Sequence, residues 1–129
     1  MDMHQHHEEL IAGVTEQYKK MLDSSEQGIY IYLDDVHKVC NKKLADLLGY
    51  SSPKEWAAVT EPFPATFVAQ ESRDEVINAY QMAVDTFVAS EADVVWQAKG
   101  GELIKSKVML VPIIYQGHTL ALHFVSAAK

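Results

Sequence analysis

The chain has little of what marks several large protein classes. One of its 129 residues is cysteine, Cys40, so no disulfide forms within it, and a reducing, cytoplasmic setting is expected. One is arginine, Arg73; the lysines are scattered, and the formal net charge is −7. A nucleic-acid groove needs clustered cations to displace counterions from phosphates, so no nucleic-acid partner is expected. The same charge works against an anionic membrane surface. No apolar run approaches the roughly eighteen residues that cross a bilayer. The N-terminus, Met1-Asp-Met-His-Gln-His-His-Glu-Glu9, is polar and lacks the character of a secretory signal. Six glycines and four prolines are spread along the chain. No linker or low-complexity segment interrupts it, and one domain is the simplest organisation.

Against these absences, 48% of the residues are hydrophobic, enough for a real core at this length. Residues 7–23 place Leu10, Ile11, Val14, Tyr18, Met21 and Leu22 on one helical stripe, with Glu8, Glu9, Glu16, Lys19 and Lys20 opposite. Gly28-Ile-Tyr-Ile-Tyr-Leu33 alternates as a strand, with Ile29, Ile31 and Leu33 on one face and Tyr30 and Tyr32 on the other. Asp34-Asp35 supplies a turn, and 36–40 a second short strand. Asn41 caps a helix carrying Leu44, Leu47 and Leu48, which Gly49 ends. Ser52-Pro-Lys-Glu55 opens a short helix bearing Trp56. Ser72-Arg-Asp-Glu75 opens a longer one over 73–88, striped with Val76, Ile77, Tyr80, Ala83, Val84, Phe87 and Val88. Strands follow at 93–99, 102–115 and 118–126, turned by Gly100-Gly101 and Gln116-Gly117. A strand pair, then helices, then a three-strand meander predicts an α+β fold on an antiparallel sheet.

In that order and spacing the chain resembles the PAS family. The resemblance is carried by Gly28-Ile-Tyr-Ile-Tyr-Leu33, Val39-Cys-Asn41, Leu44-Ala-Asp-Leu-Leu-Gly-Tyr50 and Ser52-Pro-Lys-Glu-Trp56. The helix 73–88, Lys99-Gly-Gly101 and Leu110-Val-Pro-Ile113 complete it. It spans residues 28–126. It implies a PAS-like five-stranded antiparallel sheet with helices packed on one face, with the strand at 28–33 beside the last strand. It also implies a small central cavity and a sensory or protein-interaction role rather than an enzymatic one, as in the sensor part of a histidine kinase or transcription regulator. Residues 1–27 form an N-terminal amphipathic helix ahead of this sensory domain, 28–129. Many PAS domains end in an Asp-x-Thr motif that leads into a signalling helix. Here the last strand ends Phe124-Val-Ser-Ala-Ala-Lys129, and output through a C-terminal helix is not expected. The alternative is a small cone-shaped α+β enzyme or binding protein like nuclear transport factors. That class carries its major helices before its long strands.

Flavin-binding members of the family carry their cysteine in the middle helices, and haem-binding members an axial histidine on the long helix. Segment 60–72 has no cysteine and helix 73–88 no histidine, so neither flavin nor haem is expected. Cys40 reads as a small apolar residue. Of His37, His118 and His123, the last alternates with Leu122 and Phe124 and is expected to face away from the cavity. His4, His6, His7 and Glu8 have metal-ligand composition. They lie at a chain end without an evident partner pair, and no metal site is expected. No nucleophile and base stand out.

The expected cavity wall is Ile31, Leu33, Asn41, Leu44, Leu48, Trp56, Phe67, Ile77, Tyr80, Trp96, Leu110, Leu122 and Phe124. Phe63 adds to the aromatic set. The Tyr80 hydroxyl, the Trp96 N–H and Asn41 are the polar handles for an unidentified small ligand. The outer face would then show Tyr30, Tyr32, Met109, Val111, Ile113, Ala121 and Val125, too apolar for water. Leu10, Ile11, Val14, Tyr18 and Met21 of the first helix are expected to meet Tyr30, Tyr32 and Ile113 there. One helix is small for that patch, so a symmetric homodimer is expected, with the same surface open to a signalling partner.

Overall fold

The computed structural model describes residues 3–127. The first amphipathic stretch forms two helices, α1 (Met3–Gln17) and α2 (Lys19–Ser24), that break at Tyr18. A hairpin of β1 (Gly28–Tyr32) and β2 (Lys38–Cys40) follows. Next come α3 (Lys42–Leu47), α4 (Pro53–Ala57), α5 (Phe63–Phe67), a 3-10 turn over Gln70–Ser72, and α6 (Arg73–Thr86). The chain closes with β3 (Ser90–Gln97), β4 (Leu103–Tyr115) and β5 (His118–Ala127). No helix among the described residues is long and apolar enough to cross a membrane.

The strand order is β2-β1-β5-β4-β3, antiparallel throughout. β1 lies beside β5, as the resemblance to the PAS family implies, with Tyr30 opposite His123. The order of elements is not that of the cone-shaped alternative.

Local signals explain both ends of α3 and the start of α4. Asn41 Oδ1 accepts the Leu44 N–H at 3.0 Å and caps α3. The same oxygen accepts the Ile29 N–H, and the amide donates to the Gln27 carbonyl, so one side chain ties α3 to β1. Gly49 ends α3 at φ 82°, a conformation that side chains disfavour. Ser52 Oγ accepts the Glu55 N–H as a cap. Ser72 differs from expectation. Its hydroxyl makes no cap but accepts the Val95 N–H at 2.9 Å, docking the start of α6 on β3. α6 stops at a left-handed Phe87, leaving Phe87 and Val88 exposed rather than on its stripe.

Both faces are buried over β1 and most of β5, while the outer face of β3 and of residues 103–109 of β4 stays largely exposed, and this changes which residues lie where. Residues opposite each other on paired strands share a face. Leu110 pairs with His123, His123 with Tyr30, and Tyr30 with Cys40. That row lies on the inner face, under α3 to α6. Tyr30, Leu110 and Val125 pack there with Leu44, Leu48, Trp56, Phe67 and Trp96. Val111, Leu122, Ile31 and Val39 make the neighbouring row on the outer face. The expectation is thus inverted for β1 and β5. Ile31, Leu33, Leu122 and Phe124 belong to the outer cluster rather than the cavity. Tyr30, Tyr32 and His123 turn inward, with Ala121 and Val125. For β4 the expected faces of Leu110, Val111 and Ile113 hold.

α1 and α2 of the same chain cover the outer face over β1, β5 and the end of β4. Val14 and Leu22 are buried against Ile29, Ile31, Leu120 and Leu122, flanked by Ile11, Tyr18, Met21 and Ile113. Leu10 is also buried. The expected dimer contact is therefore filled from within one chain, and Tyr30 and Tyr32 take no part in it. Gly13 permits the close fit: a Cβ there would fall 2.0 Å from the Tyr115 hydroxyl of β4.

Candidate ligand pocket

Between the inner sheet face, α5 and α6 lies a cavity of about 230 Å³. Tyr30 and Tyr32 enter it from β1 and His123 from β5. Phe63 and Pro64 come from α5, and Val76, Ile77, Tyr80 and Gln81 from α6. None of these side chains carries a formal charge at neutral pH. Ile77 and Tyr80, expected in the wall, are there.

The rings form an ordered set. His123 stacks on Tyr30 with centroids 3.9 Å apart and planes 10° from parallel. Tyr80 is almost parallel to His123, 12° off, at 6.3 Å. Tyr32 meets Tyr80 and Phe63 edge-on at 5.3 and 5.1 Å. Its hydroxyl donates to Asp35 Oδ1 at 2.8 Å, and that oxygen also accepts the Phe63 N–H at 2.9 Å. Asp35 thereby fixes one wall of the cavity from outside it.

His123 is the unusual group. It is buried, and its Nδ1 has no hydrogen-bond partner. Burial holds its pKa down at about 3, against the pull of the Tyr30 and Ala121 carbonyls, so the imidazole is neutral over the physiological range. Burial also raises the phenol pKa values of Tyr30, Tyr32 and Tyr80. The cavity therefore holds neutral rings and uncharged donors.

Other expected pocket residues lie in the surrounding core. Leu44, Leu48, Trp56, Phe67, Trp96 and Leu110 pack around the site without lining it. Two expected handles are already engaged. Asn41 is used as a cap, and the Trp96 N–H donates to Ser106 Oγ at 2.7 Å, which donates onward to the Val94 carbonyl. Cys40 is buried, and its thiol is pushed up to about 12, so it is not a thiolate nucleophile.

Three features escaped sequence reasoning. Tyr30 and His123 were placed on the wrong face. Lys38 is buried, with its ammonium group donating to the carbonyls of Asp35, Ala57 and Val59 beneath the Trp56 ring. Burial lowers its pKa. Third, the fold gathers histidines that are far apart in the chain. His7 Nδ1 lies 2.6 Å from Asp34 Oδ2, and His37 Nδ1 lies 2.7 Å from Asp34 Oδ1. His6 Nε2 lies 3.0 Å from His118 Nε2. The side chain of His4 lies outside the described residues.

No family model matches this sequence, and no curated protein does. Solved structures do. A PAS domain from Colwellia psychrerythraea aligns with a TM-score of 0.69 at 19% identity, covering 89% of this chain and 97% of that one. A PAS domain from a two-component sensor histidine kinase aligns at 0.65 and 8% identity, covering 91% and 99%. The PAS domain of a LuxR-family transcriptional regulator from Burkholderia thailandensis, in complex with ethanol, aligns at 0.63 and 14%, covering 85% and 96%. The chain has the PAS fold, as its sequence resemblance implied.

Proposed function

We propose that the chain is a sensory module that binds a small, neutral, ring-bearing molecule in this cavity and reports it to a protein partner. The observation that carries the reading is His123, a buried neutral imidazole with an unpartnered nitrogen, set in a cavity walled by aromatic rings. An unpaired buried polar atom costs about 1–3 kcal/mol. A ligand that satisfied it would recover much of that.

The size and chemistry of the site narrow the ligand. At about 230 Å³ the cavity is below the roughly 300–1,000 Å³ of sites for drug-sized compounds. It has no cation or anion to pair with a charged ligand. The near-parallel His123 and Tyr80 rings, 6.3 Å apart, fall just short of two contact distances of about 3.5 Å each. A small shift of Tyr80 admits a flat ring between them. The fold's other members lend support: the kinase and the LuxR-type regulator are signalling proteins by name, and the latter holds ethanol. Binding rather than catalysis is the natural use of such a site, with no activated nucleophile among its lining groups. A partner or a second copy would meet surface that α1 and α2 leave open. Leu103 and Ile114 of β4 are exposed.

The test is a ¹⁵N-HSQC titration with indole and phenol as probes, for the chain and for Ile77→Trp, which fills the cavity. Shifts grouped at Tyr30, Ile77, Tyr80 and His123 that vanish in the variant are expected. Shifts absent from the wild type, or unchanged in the variant, would exclude the pocket.

A further inference from the structure

We propose that His7, Asp34 and His37 form a binding site for a divalent transition-metal ion, zinc by preference, which fastens α1 to the turn between β1 and β2. One ligand atom from each residue lies within 4.8 Å of the others. The three come from two separate segments, and the fold alone brings them together. Asp34 accepts from both imidazoles, at 2.6 and 2.7 Å. Its Oδ1 is also held by the N–H groups of Val36 and His37, at 3.0 and 2.7 Å. The carboxylate is thus oriented by the backbone before any ion arrives, as outer hydrogen bonds orient ligands in metal sites.

The donor set selects the ion. Two imidazoles and one carboxylate suit zinc and its late first-row neighbours, and not calcium or magnesium, which take oxygen ligands. Three protein ligands leave a fourth tetrahedral position open. Zinc bonds of about 2.0–2.1 Å place tetrahedral ligand atoms roughly 3.3 Å apart. The present hydrogen-bond spacings must therefore open by about 0.6 Å, within the reach of small side-chain rotations. The site is half-sheltered: the His37, His7 and Asp34 side chains are 8%, 22% and 37% exposed. It is open enough for an ion to enter and buried enough to hold the ligands in place. The ion would replace two hydrogen bonds by metal bonds, each neutral imidazole giving up its proton at Nδ1 and taking one at Nε2, with no net change in protonation. Because His7 belongs to α1, occupancy would set how firmly α1 sits on the sheet.

The experiment uses the full chain, with zinc followed by calorimetry and thermal unfolding, and cobalt(II) by its visible absorption. One zinc per chain is expected, with tetrahedral cobalt bands. At zinc a hundredfold above Kd the melting temperature should rise by about 10 °C. His7→Gln and His37→Gln should each weaken zinc at least tenfold and cut the thermal shift at the same zinc concentration by about half or more. His7→Gln, on a helix surface, leaves the turn intact, and its circular dichroism should match the wild type. The double variant His4→Gln/His6→Gln should bind as the wild type does. No zinc-dependent shift in the wild type overturns the proposal. So does binding that survives His7→Gln and His37→Gln but is lost in the His4/His6 double variant, which would assign the ion to the N-terminal histidines alone.

Discussion

Replacing His123 by phenylalanine tests the central claim about the pocket, through the dependence of stability on pH. The folded imidazole has its pKa depressed from 6.5 to about 3. The unfolded one titrates near its ordinary value. Between those values the unfolded chain binds a proton that the folded chain refuses, so stability is full above pH 6.5 and falls as pH drops toward 3. The limiting slope is about 1.4 kcal/mol per pH unit. From pH 7.5 to 5.0 the integrated loss from this group is about 2 kcal/mol. Phenylalanine keeps the ring over Tyr30 and carries no proton. The cavity beside it gives room for the altered edge. Guanidinium unfolding at the two pH values, followed by fluorescence of the buried tryptophans, measures both proteins. All other titrating groups are shared, so they cancel in the comparison. The wild type should lose about 2 kcal/mol more than the variant, and at pH 7.5 the variant should be no less stable, since the orphaned nitrogen is gone. Equal losses within about 0.5 kcal/mol would show that His123 is not buried and neutral in the folded chain.

Two further outcomes follow from packing. Asn41→Ala removes the α3 cap together with bonds to the Ile29 N–H and the Gln27 carbonyl. It should cost about 2–3 kcal/mol in chemical unfolding; a cost under about 0.5 kcal/mol would mean water replaces all three bonds. Val14→Asp sets a carboxylate against Ile29 and Leu120 on the outer face. It should cost roughly 3 kcal/mol and free the amides of α1 to exchange while β4 and β5 stay protected. Unchanged protection in α1 would show that Val14 does not seat it.

The order of elements was readable where an end carries its own chemistry: Asn41, Gly49, Ser52 and the Gln116-Gly117 turn all act where the pattern puts them. The faces of β1 and β5 were misread because alternation marks a core only when one side of the strand is wet. Ile29-Tyr-Ile-Tyr32 is apolar on both sides, and α1 buries the side that solvent would otherwise expose. A sharper signal was present. A two-residue turn pairs Tyr115 with His118, and counting back from it sets Leu110 opposite His123. The known inward face of Leu110 would then have brought His123 inward too. Nothing comparable could reveal the cluster at Asp34. His7, Asp34 and His37 are brought together by the path of α1 across the sheet, which no local spacing records.

The backbone hydrogen bonds of α1 and α2, among the described residues, all stay within that segment. Its hold on the sheet is made by side chains alone, so it can part from the rest of the molecule without breaking a strand ladder. The first event on heating would then be a detachment rather than a collapse. A chain in that state shows Ile29, Ile31, Leu120 and Leu122 to its surroundings, while its own helix swings from the short segment at 25–27. Two such chains can each lend the other a helix, and the product would be a pair with the same contacts as the single molecule, differing only in who supplies them.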